Sequence, residues 1–267
     1  MEVLQLTAAD FIESVPVGRN RPMLMRCEDA GGKSYEVVVK LRGREMDTKA
    51  QIAEVVCAQL ADDLGLDVPQ AAVVEVPAGF DQIAPEAEVA ACIQQSAGWN
   101  FGSRHIGAGF TTWPPGRSPH GAQRDQAAAI FAFDTLVQNP DRRAVNPNLW
   151  ARSDRLGVYD HEQAFSFLFL PIIGGAPRPW VATDQPNGFR FLEQHVFYAC
   201  LRGSVLDLAS FEERLGALAD DQITDYCEAI PEAWREGHDL CEQIPAYLRE
   251  ARTERATLVK FVKHILR

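Results

Sequence analysis

The sequence predicts an α+β protein of two lobes, with a strand-rich lobe followed by a helix-rich lobe. Three observations lead to this prediction: β-branched runs within the first 80 residues, one amphipathic helix among them, and helical periodicity over most of residues 190–267. Hydrophobic residues make up 46% of the 267 positions, enough for a sizeable buried core. We place the N-terminal lobe at residues 1–96 and the helical C-terminal lobe at residues 97–267.

The predicted N-terminal lobe consists of strands and one helix. Apolar residues at helical spacing predict a helix over 48–64, which Gly65 ends. The sequence Asp-Ala-Gly-Gly at 29–32 is typical of a hairpin turn. Just beyond this lobe, residues 98–104 contain two glycines and are predicted to form an ordered loop. The predicted strands are residues 22–27, 34–41, 72–76 and 89–93.

The predicted C-terminal lobe is mostly helical. An alanine-rich helix over 123–136 leads into a polar loop at 139–150, and a short strand follows at 155–159. Because this loop opens the second lobe, we expect it to face the cleft between the lobes. Amphipathic patterns predict further helices at residues 191–201, 208–219, 221–229, 231–248 and 251–266.

The charge and the cysteines argue against several classes of protein. A formal net charge of −11 argues against a nucleic-acid binder, which normally presents a basic face. The six cysteines lack the paired spacing of a zinc site or a disulfide framework, so free thiols in a reducing compartment are expected. The sequence contains neither a signal-peptide pattern nor an apolar run of the ~20 residues that a membrane span needs. We therefore expect a cytoplasmic protein with neither nucleic acid nor membrane as its partner.

The polar loop and the strand after it carry the most informative residues. Asp141, Asn146 and Asn148 lie in the loop, and Asp160 directly follows the apolar strand. Transfer of a phosphoryl group from ATP requires a carboxylate that orients the acceptor hydroxyl, and Asn and Asp side chains that hold Mg²⁺. We therefore predict that Asp141 orients the acceptor and that Asp160 binds the metal.

Two asparagines compete for the second metal position. Asn146 lies five residues after Asp141, the spacing found in kinase catalytic loops. Asn148 directly precedes the apolar pair Leu149-Trp150, which would anchor it. We favour Asn148 and keep Asn146 as the alternative.

A lysine and a glutamate in the N-terminal lobe complete the predicted site. Lys40 ends a run of three valines, and a lysine at the end of a strand can neutralise nucleotide phosphates. Glu54, in the following helix, is predicted to pair with Lys40 and orient it. Glu45 and Asp47 are alternatives for this pairing.

Contacts to the phosphates are predicted at the loop before the hairpin. Gly18 offers backbone amides there, and Arg19 and Arg21 offer positive charge, although the loop does not match a Gly-rich phosphate motif. Arg142 and Arg143, directly after Asp141, are candidates for stabilising charge in the transition state or for binding an anionic substrate.

With these residues considered together, the chain resembles the HipA-like kinases, a group related to the phosphatidylinositol 3- and 4-kinases. The resemblance implies a bilobal protein-kinase-like fold, ATP and Mg²⁺ as cofactors, and transfer to a Ser/Thr hydroxyl. The most specific part of the resemblance is the combination of Asp-Arg at residues 141–142 with Asp-His-x-x-Ala-Phe at residues 160–165. The matching segments are residues 18–22, 35–40, 54–69, 139–142, 148–149, 160–161 and 164–165.

The leading interpretation is an ATP- and Mg²⁺-dependent kinase that phosphorylates a Ser/Thr hydroxyl of a protein. A pseudokinase that binds nucleotide and docks a regulatory partner protein is the first alternative. A kinase acting on a lipid or a small-molecule alcohol is the second. The sequence leaves the phosphate acceptor open, and it places the segment that contacts adenine only within residues 89–103.

Overall fold

Five strands in the N-terminal part of the chain close into a barrel. The computed structural model describes residues 1–15, 22–42, 46–168, 177–181 and 186–267. Neighbouring strands follow the order β1-β2-β3-β5-β4, and the parallel pairing of β1 with β4 closes the barrel. The other four pairings are antiparallel. The strands are β1 (Leu4–Ser14), β2 (Met23–Glu28), β3 (Ser34–Lys40), β4 (Ala71–Val76) and β5 (Gly98–Arg104).

Two predictions for the region before and within β5 are wrong. Residues 89–93 belong to a helix, α2 (Ala87–Gln95), because Val89, Cys92 and Ile93 are buried at helical spacing in an alanine-rich segment. Residues 98–104, predicted as a loop, form β5, so the barrel extends beyond residue 96. The division into lobes at residue 96 stays a prediction.

Gly102 shows why β5 contains a glycine. A Cβ atom at this position would lie 2.6 Å from Val37 Cγ1 and 2.9 Å from Val74 Cγ2. Both valines belong to the barrel core. The glycine therefore permits a close approach of β5 to its two neighbours, and it does not mark a loop.

The helix α1 (Thr48–Asp63) lies between the barrel and the C-terminal helices. Residues 51–61 of this helix are all buried, so it is covered on every side and not only on one face. Toward the barrel, the Phe101 amide donates to Gln51 Oε1 at 2.8 Å. Toward the helices, Gln59 Nε2 donates to the Tyr226 carbonyl at 2.9 Å. One hydrophobic core accordingly includes residues of α1 and of the C-terminal helices.

A long helix and a short three-stranded sheet present the polar loop. The predicted helix at 123–136 is present as α3 (Ala122–Val137), and the polar loop follows it. The sheet consists of β6 (Thr111–Thr112), β7 (Leu149–Arg152) and β8 (Arg155–Val158), with β7 in the centre. The hairpin of β7 and β8 therefore begins at the end of the polar loop and ends two residues before Asp160.

Short helices form most of the remaining C-terminal part. The predicted helix over 231–248 is instead two helices, since residues 236–239 are not helical. No helix within the described residues combines the length and the apolar character that crossing a membrane requires. The α-helices are α4 (Tyr198–Leu201), α5 (Ala209–Ala217), α6 (Asp220–Asp225), α7 (Glu232–Arg235), α8 (Leu240–Thr253) and α9 (Arg255–Ile265). Segments of 3₁₀-helix cover Phe80–Ile83, Ser166–Leu168 and Pro186–Gln194.

Candidate active site

Lys40 and Glu54 form a buried ion pair between the barrel and α1. Lys40 is the last residue of β3, and its ammonium group donates to Glu54 Oε1. The side chain of Glu54 is 2% exposed and that of Lys40 is 13% exposed. The other oxygen of Glu54 accepts the backbone N–H of His161 at 2.9 Å. The predicted pairing is thus present in the structure, and Glu45 lies outside the described residues.

Two more carboxylates approach the same ammonium group from the segment after β8. Lys40 Nζ lies 2.5 Å from Asp160 Oδ1 and 3.6 Å from Glu162 Oε2. Three negative charges therefore surround one positive charge. The arrangement joins residues that are 120 positions apart in the sequence, since the pair of Lys40 and Asp160 connects the barrel to the loop after β8. Glu162 was not among the predicted residues.

The charges of this cluster stabilise one another. Burial alone would lower the pKa of Lys40, but the carboxylates of Glu54, Asp160 and Glu162 outweigh it and raise that pKa well above its ordinary value. Burial alone would raise the pKa of Glu54, but Lys40 and then His161 lower it to about 2. At neutral pH, both groups of the buried pair are therefore charged.

The carboxylates provide ligands that suit a divalent cation. One oxygen each of Glu54, Asp160 and Glu162 lies within 4.8 Å of the other two. Mg²⁺ prefers such hard oxygen ligands and usually binds through one or two carboxylates while keeping several waters. Lys40 Nζ occupies the space among the three carboxylates, and Asp160, whose side chain is 24% exposed, offers an oxygen ligand of the type that Mg²⁺ prefers.

The polar loop holds Asp141 through three donors. Arg143 donates to Asp141 Oδ1 at 2.8 Å, and Asn146 Nδ2 donates to Oδ2 at 2.8 Å. Asn148 Nδ2 lies 3.5 Å from the same Oδ2. Each asparagine therefore directs its NH₂ group toward Asp141. The loop thus fixes a carboxylate whose own side chain is largely buried.

A backbone contact joins the loop to the segment that carries Asp160. The N–H of Tyr159 donates to the carbonyl of Asn148 at 3.2 Å, so Asn148 lies across from the residue that precedes Asp160. Both Asn148 (φ 47°) and Asp160 (φ 62°) adopt the left-handed conformation, which is uncommon for residues other than glycine. Strained backbone of this kind often accompanies functional sites.

The two arginines after Asp141 have different environments. Arg143 is 43% exposed and contacts Asp141, so it remains a candidate for binding an anion. Arg142 is fully buried, and its Nε lies 2.5 Å from Asp134 Oδ2 on α3. The interpretation of Arg142 as a group that binds substrate or stabilises transition-state charge is therefore wrong, because the side chain points into the core.

Asp134 and His195 were missed by the sequence interpretation. Asp134 is fully buried on α3, and its Oδ2 accepts a hydrogen bond from His195 Nε2 at 3.0 Å. An aspartate on the buried face of an otherwise apolar helix was the available signal, since such a charge requires a partner. No pattern in the sequence indicated that Arg142 and His195 would be those partners.

The structure places the predicted residues that it describes in two groups, each held together by side-chain contacts. One group comprises Lys40, Glu54 and Asp160, and the other comprises Asp141, Asn146 and Asn148. The predicted phosphate contacts Gly18, Arg19 and Arg21 lie outside the described residues.

Comparisons with known proteins identify a family and a fold. A family model described as HipA-like kinase matches residues 9–170, more than half of the chain. A search of curated proteins found no match. Among solved structures, the chain is similar to a Helicobacter pylori proinflammatory kinase, CtkA, with a TM-score of 0.51 and 9% identity over 100% of both chains. It also matches a Golgi casein kinase with Mn/ADP bound, with a TM-score of 0.44 and 14% identity over 99% of this chain and 72% of that one.

The family model covers β2 to β5, α1, α3, the polar loop, the hairpin and the segment after β8, and so includes every residue of the two groups. The likeness to CtkA covers the whole length of both chains and shows a similar overall fold. The chain belongs to the HipA-like kinase family.

Proposed function

We propose that this protein transfers the γ-phosphoryl group of ATP, with Mg²⁺, to a Ser/Thr hydroxyl of a protein. The observation that carries the proposal is the contact of Lys40 with both Glu54 and Asp160, which brings a strand end, a helix and a loop together at one point. Membership of a kinase family supports this assignment. We interpret the barrel with α1 as the nucleotide-binding lobe, the helical part as the second lobe, and the site as the cleft between them.

Each residue has a role that follows from its chemistry. Lys40 binds the phosphates, and Glu54 holds it in place, since a charged ammonium group beside a buried carboxylate keeps its position and its proton. Asp141 orients the acceptor hydroxyl and accepts its proton. When bound, Mg²⁺ neutralises charge on the phosphates. Asp160 and Asn148 would hold the metal, with Asn146 as the alternative to Asn148.

Catalysis on this scheme depends on positioning and electrostatics. On this proposal Asp141 supplies the carboxylate, Lys40 the cation, and Asp160 and Asn148 the metal ligands that phosphoryl transfer requires, and covalent chemistry by the protein is not needed. The Asp141 carboxylate is held by hydrogen bonds from Arg143 and Asn146, so its orientation is set before the substrate binds.

Calorimetric titration with ATP and Mg²⁺ tests the nucleotide site. We expect the wild-type protein to bind ATP in a Mg²⁺-dependent manner, and Asp160→Asn to weaken that binding by at least about tenfold. Asp154→Asn, an exposed position in the turn of the same hairpin, is the matched control and should bind as the wild type does. Absence of binding to the wild type would refute the kinase proposal.

Phosphate transfer tests the role of Asp141. We expect Asp141→Asn to retain nucleotide affinity and to lose transfer by roughly 10²–10⁴-fold, the range that general acid–base catalysis contributes. The acceptor is identified by offering radiolabelled ATP with protein, lipid and small-alcohol acceptors in parallel. Transfer to a lipid or an alcohol alone would replace the protein acceptor. Binding without transfer to any of them would favour the pseudokinase alternative.

A further inference from the structure

Arg142 is a buried cation that the proposed chemistry does not use. Its side chain is fully buried, as is that of Asp134, with which it forms an ion pair. Removing two charges from water costs several kcal/mol per ion, and a pair of this kind is therefore weak evidence of a contribution to stability alone. The contacts of the guanidinium group indicate a different role.

The guanidinium group contacts the backbone at both predicted metal ligands. Arg142 Nη1 donates to the Asn148 carbonyl at 2.6 Å and to the Tyr159 carbonyl at 3.1 Å. The first carbonyl belongs to a metal-ligand candidate, and the second belongs to the peptide bond that leads into Asp160. One nitrogen atom thus fixes a peptide plane beside each candidate.

Both of these residues have an uncommon backbone conformation. Asn148 and Asp160 have positive φ angles of 47° and 62°, which Asn and Asp adopt more readily than other non-glycine residues but which are less favourable than right-handed or extended backbone. A surrounding structure must hold such conformations in place. Arg142 provides two charge-assisted hydrogen bonds next to the two strained residues, which are stronger than bonds between neutral groups.

The guanidinium group is itself held in place by Asp134, which is in turn held by His195. Asp134 Oδ2 accepts from Arg142 Nε and from His195 Nε2. The Phe197 amide donates to His195 Nδ1 at 3.1 Å, so Nδ1 carries no proton and Nε2 carries the hydrogen that Asp134 accepts. The ring is therefore neutral, with its tautomer set by two neighbours. The backbone is also tied, since the Val196 amide donates to the Arg142 carbonyl at 3.0 Å.

We propose that Arg142, held by Asp134 and His195, is a positioning residue that sets the backbone orientation of Asn148 and Asp160 for binding a divalent cation. The inference rests on the proposed function, because it assumes that these two residues are the metal ligands. Arg142 touches neither nucleotide nor acceptor on this scheme. It acts through the two carbonyl groups that it binds.

The test compares Arg142→Lys with Arg252→Lys. Lysine keeps the charge at position 142 but lacks the fixed fork that reaches a carboxylate and two carbonyls together. Arg252 is a matched control, because it also binds one carboxylate and one backbone carbonyl, those of Asp220 and Leu218, on C-terminal helices outside the site. For each variant we would measure amide hydrogen exchange without ligand and the Mg²⁺ concentration that half-saturates ATP binding.

The Tyr159 amide is the direct reporter, since its N–H binds the Asn148 carbonyl. We expect Arg142→Lys to reduce its protection about tenfold and to raise the half-saturating Mg²⁺ concentration to a similar extent. Arg252→Lys should change neither quantity. A fall in melting temperature with both quantities unchanged would show that Arg142 is merely structural and would overturn the inference.

The two readouts separate this inference from the proposed function. If the protein does not bind Mg·ATP, the kinase proposal is contradicted. If Arg142→Lys nevertheless reduces the protection of the Tyr159 amide, Arg142 still positions the backbone, but not for binding a metal. If Arg142→Lys does not fold, Asp134→Asn is the second variant. It removes the carboxylate that pairs with Arg142 and is expected to reduce the protection of the Tyr159 amide in the same way. Unchanged protection of Tyr159 in Asp134→Asn would then refute the inference.

Discussion

The ammonium group of Lys40 lies among three carboxylates, and this pairing governs the behaviour of the site at the scale of single residues. Glu54 is buried and keeps its charge only because Lys40 and His161 stabilise it. Removal of one partner from a buried ion pair is strongly destabilising, since the other charge remains without compensation. The pair is therefore a source of pH-dependent stability as well as a candidate phosphate contact.

The pH dependence of unfolding tests the state of Glu54. Its pKa is lowered from 4.5 to about 2 in the folded protein, so its contribution to the free energy of unfolding is complete above pH 4.5 and is lost as the pH falls toward about 2. Between pH 6 and pH 3, this loss amounts to about 2 kcal/mol. We expect urea denaturation to show a correspondingly smaller acid-induced loss of stability in Glu54→Gln.

The control for this measurement is Glu75→Gln, an exposed glutamate on β4. It should lose as much stability between pH 6 and pH 3 as the wild type does. If Glu54→Gln also retained the full acid-induced loss, Glu54 would not be the titrating group.

The two loop asparagines are separated by their effect on Mg²⁺ affinity. Asn148 lies across from Tyr159, next to Asp160, whereas the side-chain contact of Asn146 is with Asp141. We expect Asn148→Ala to raise the half-saturating Mg²⁺ concentration for ATP binding at least about tenfold and Asn146→Ala to change it less. The reverse order would assign the metal position to Asn146, in agreement with the kinase-like spacing.

At the scale of elements, the hairpin of β7 and β8 determines where Asp160 lies. Gly157 is paired with Trp150 across the hairpin. A Cβ atom at position 157 would lie 2.0 Å from Trp150 Cε2, so the indole ring occupies the space that any other residue would need. The ring is buried at the same time, which leaves it little room to move.

Substitution of this glycine is expected to disturb the site from a distance. Gly157→Ala should lower the free energy of unfolding by about 1–3 kcal/mol, the typical cost of overpacking. It should also weaken Mg·ATP binding, because β8 leads directly to Asp160. Gly188→Ala is the control, since its nearest neighbour would be 3.6 Å away and it should have little effect. Wild-type binding and stability in Gly157→Ala would show that the hairpin adapts freely.

At the scale of the whole molecule, α1 belongs to the larger hydrophobic cluster, which also includes Ala71, Val73 and Phe101 of β4 and β5, and not to the cluster inside the barrel. The larger hydrophobic cluster contains residues of α1, α3, α5, α8 and α9, whereas the barrel interior forms a cluster of its own. Glu54 is therefore carried by a helix that packs both on barrel strands and on the C-terminal helices. We infer that the Lys40–Glu54 pair joins two regions with separate cores.

Native-state hydrogen exchange tests this division. Leu248→Ala, in the larger cluster, should lower the protection of α1 and α3 amides by a common amount, within about 2–5 kcal/mol, and affect β2 amides less. Val76→Ala, in the barrel core, should show the opposite order. An equal fall throughout the chain in both variants would show a single cooperative unit.

The sequence by itself determined the elements whose signals are local. The valine run ending at Lys40, the helix that became α1, the alanine-rich α3 and the short strand before Asp160 follow from periodicity and turn residues, and the structure shows each of them. The strand β1 went unpredicted, although Leu6 and Ala8 alternate with exposed residues. The motifs around Asp141 and Asp160 also sufficed to indicate the family, which the family model confirms. The catalytic and metal roles of these residues stay predictions.

Only the tertiary structure decided the rest, because it depends on contacts between distant residues. Gly102 contributed to the wrong prediction of a loop, because the close approach of Val37 and Val74 that requires a glycine there is visible only in the folded barrel. Glu162 becomes relevant only when the fold brings it to Lys40. The partners of Asp134 are Arg142, from the polar loop, and His195, 61 residues further along the chain, and no local pattern could reveal either of them. A buried charge needs a partner, and the fold alone determines which residue it is.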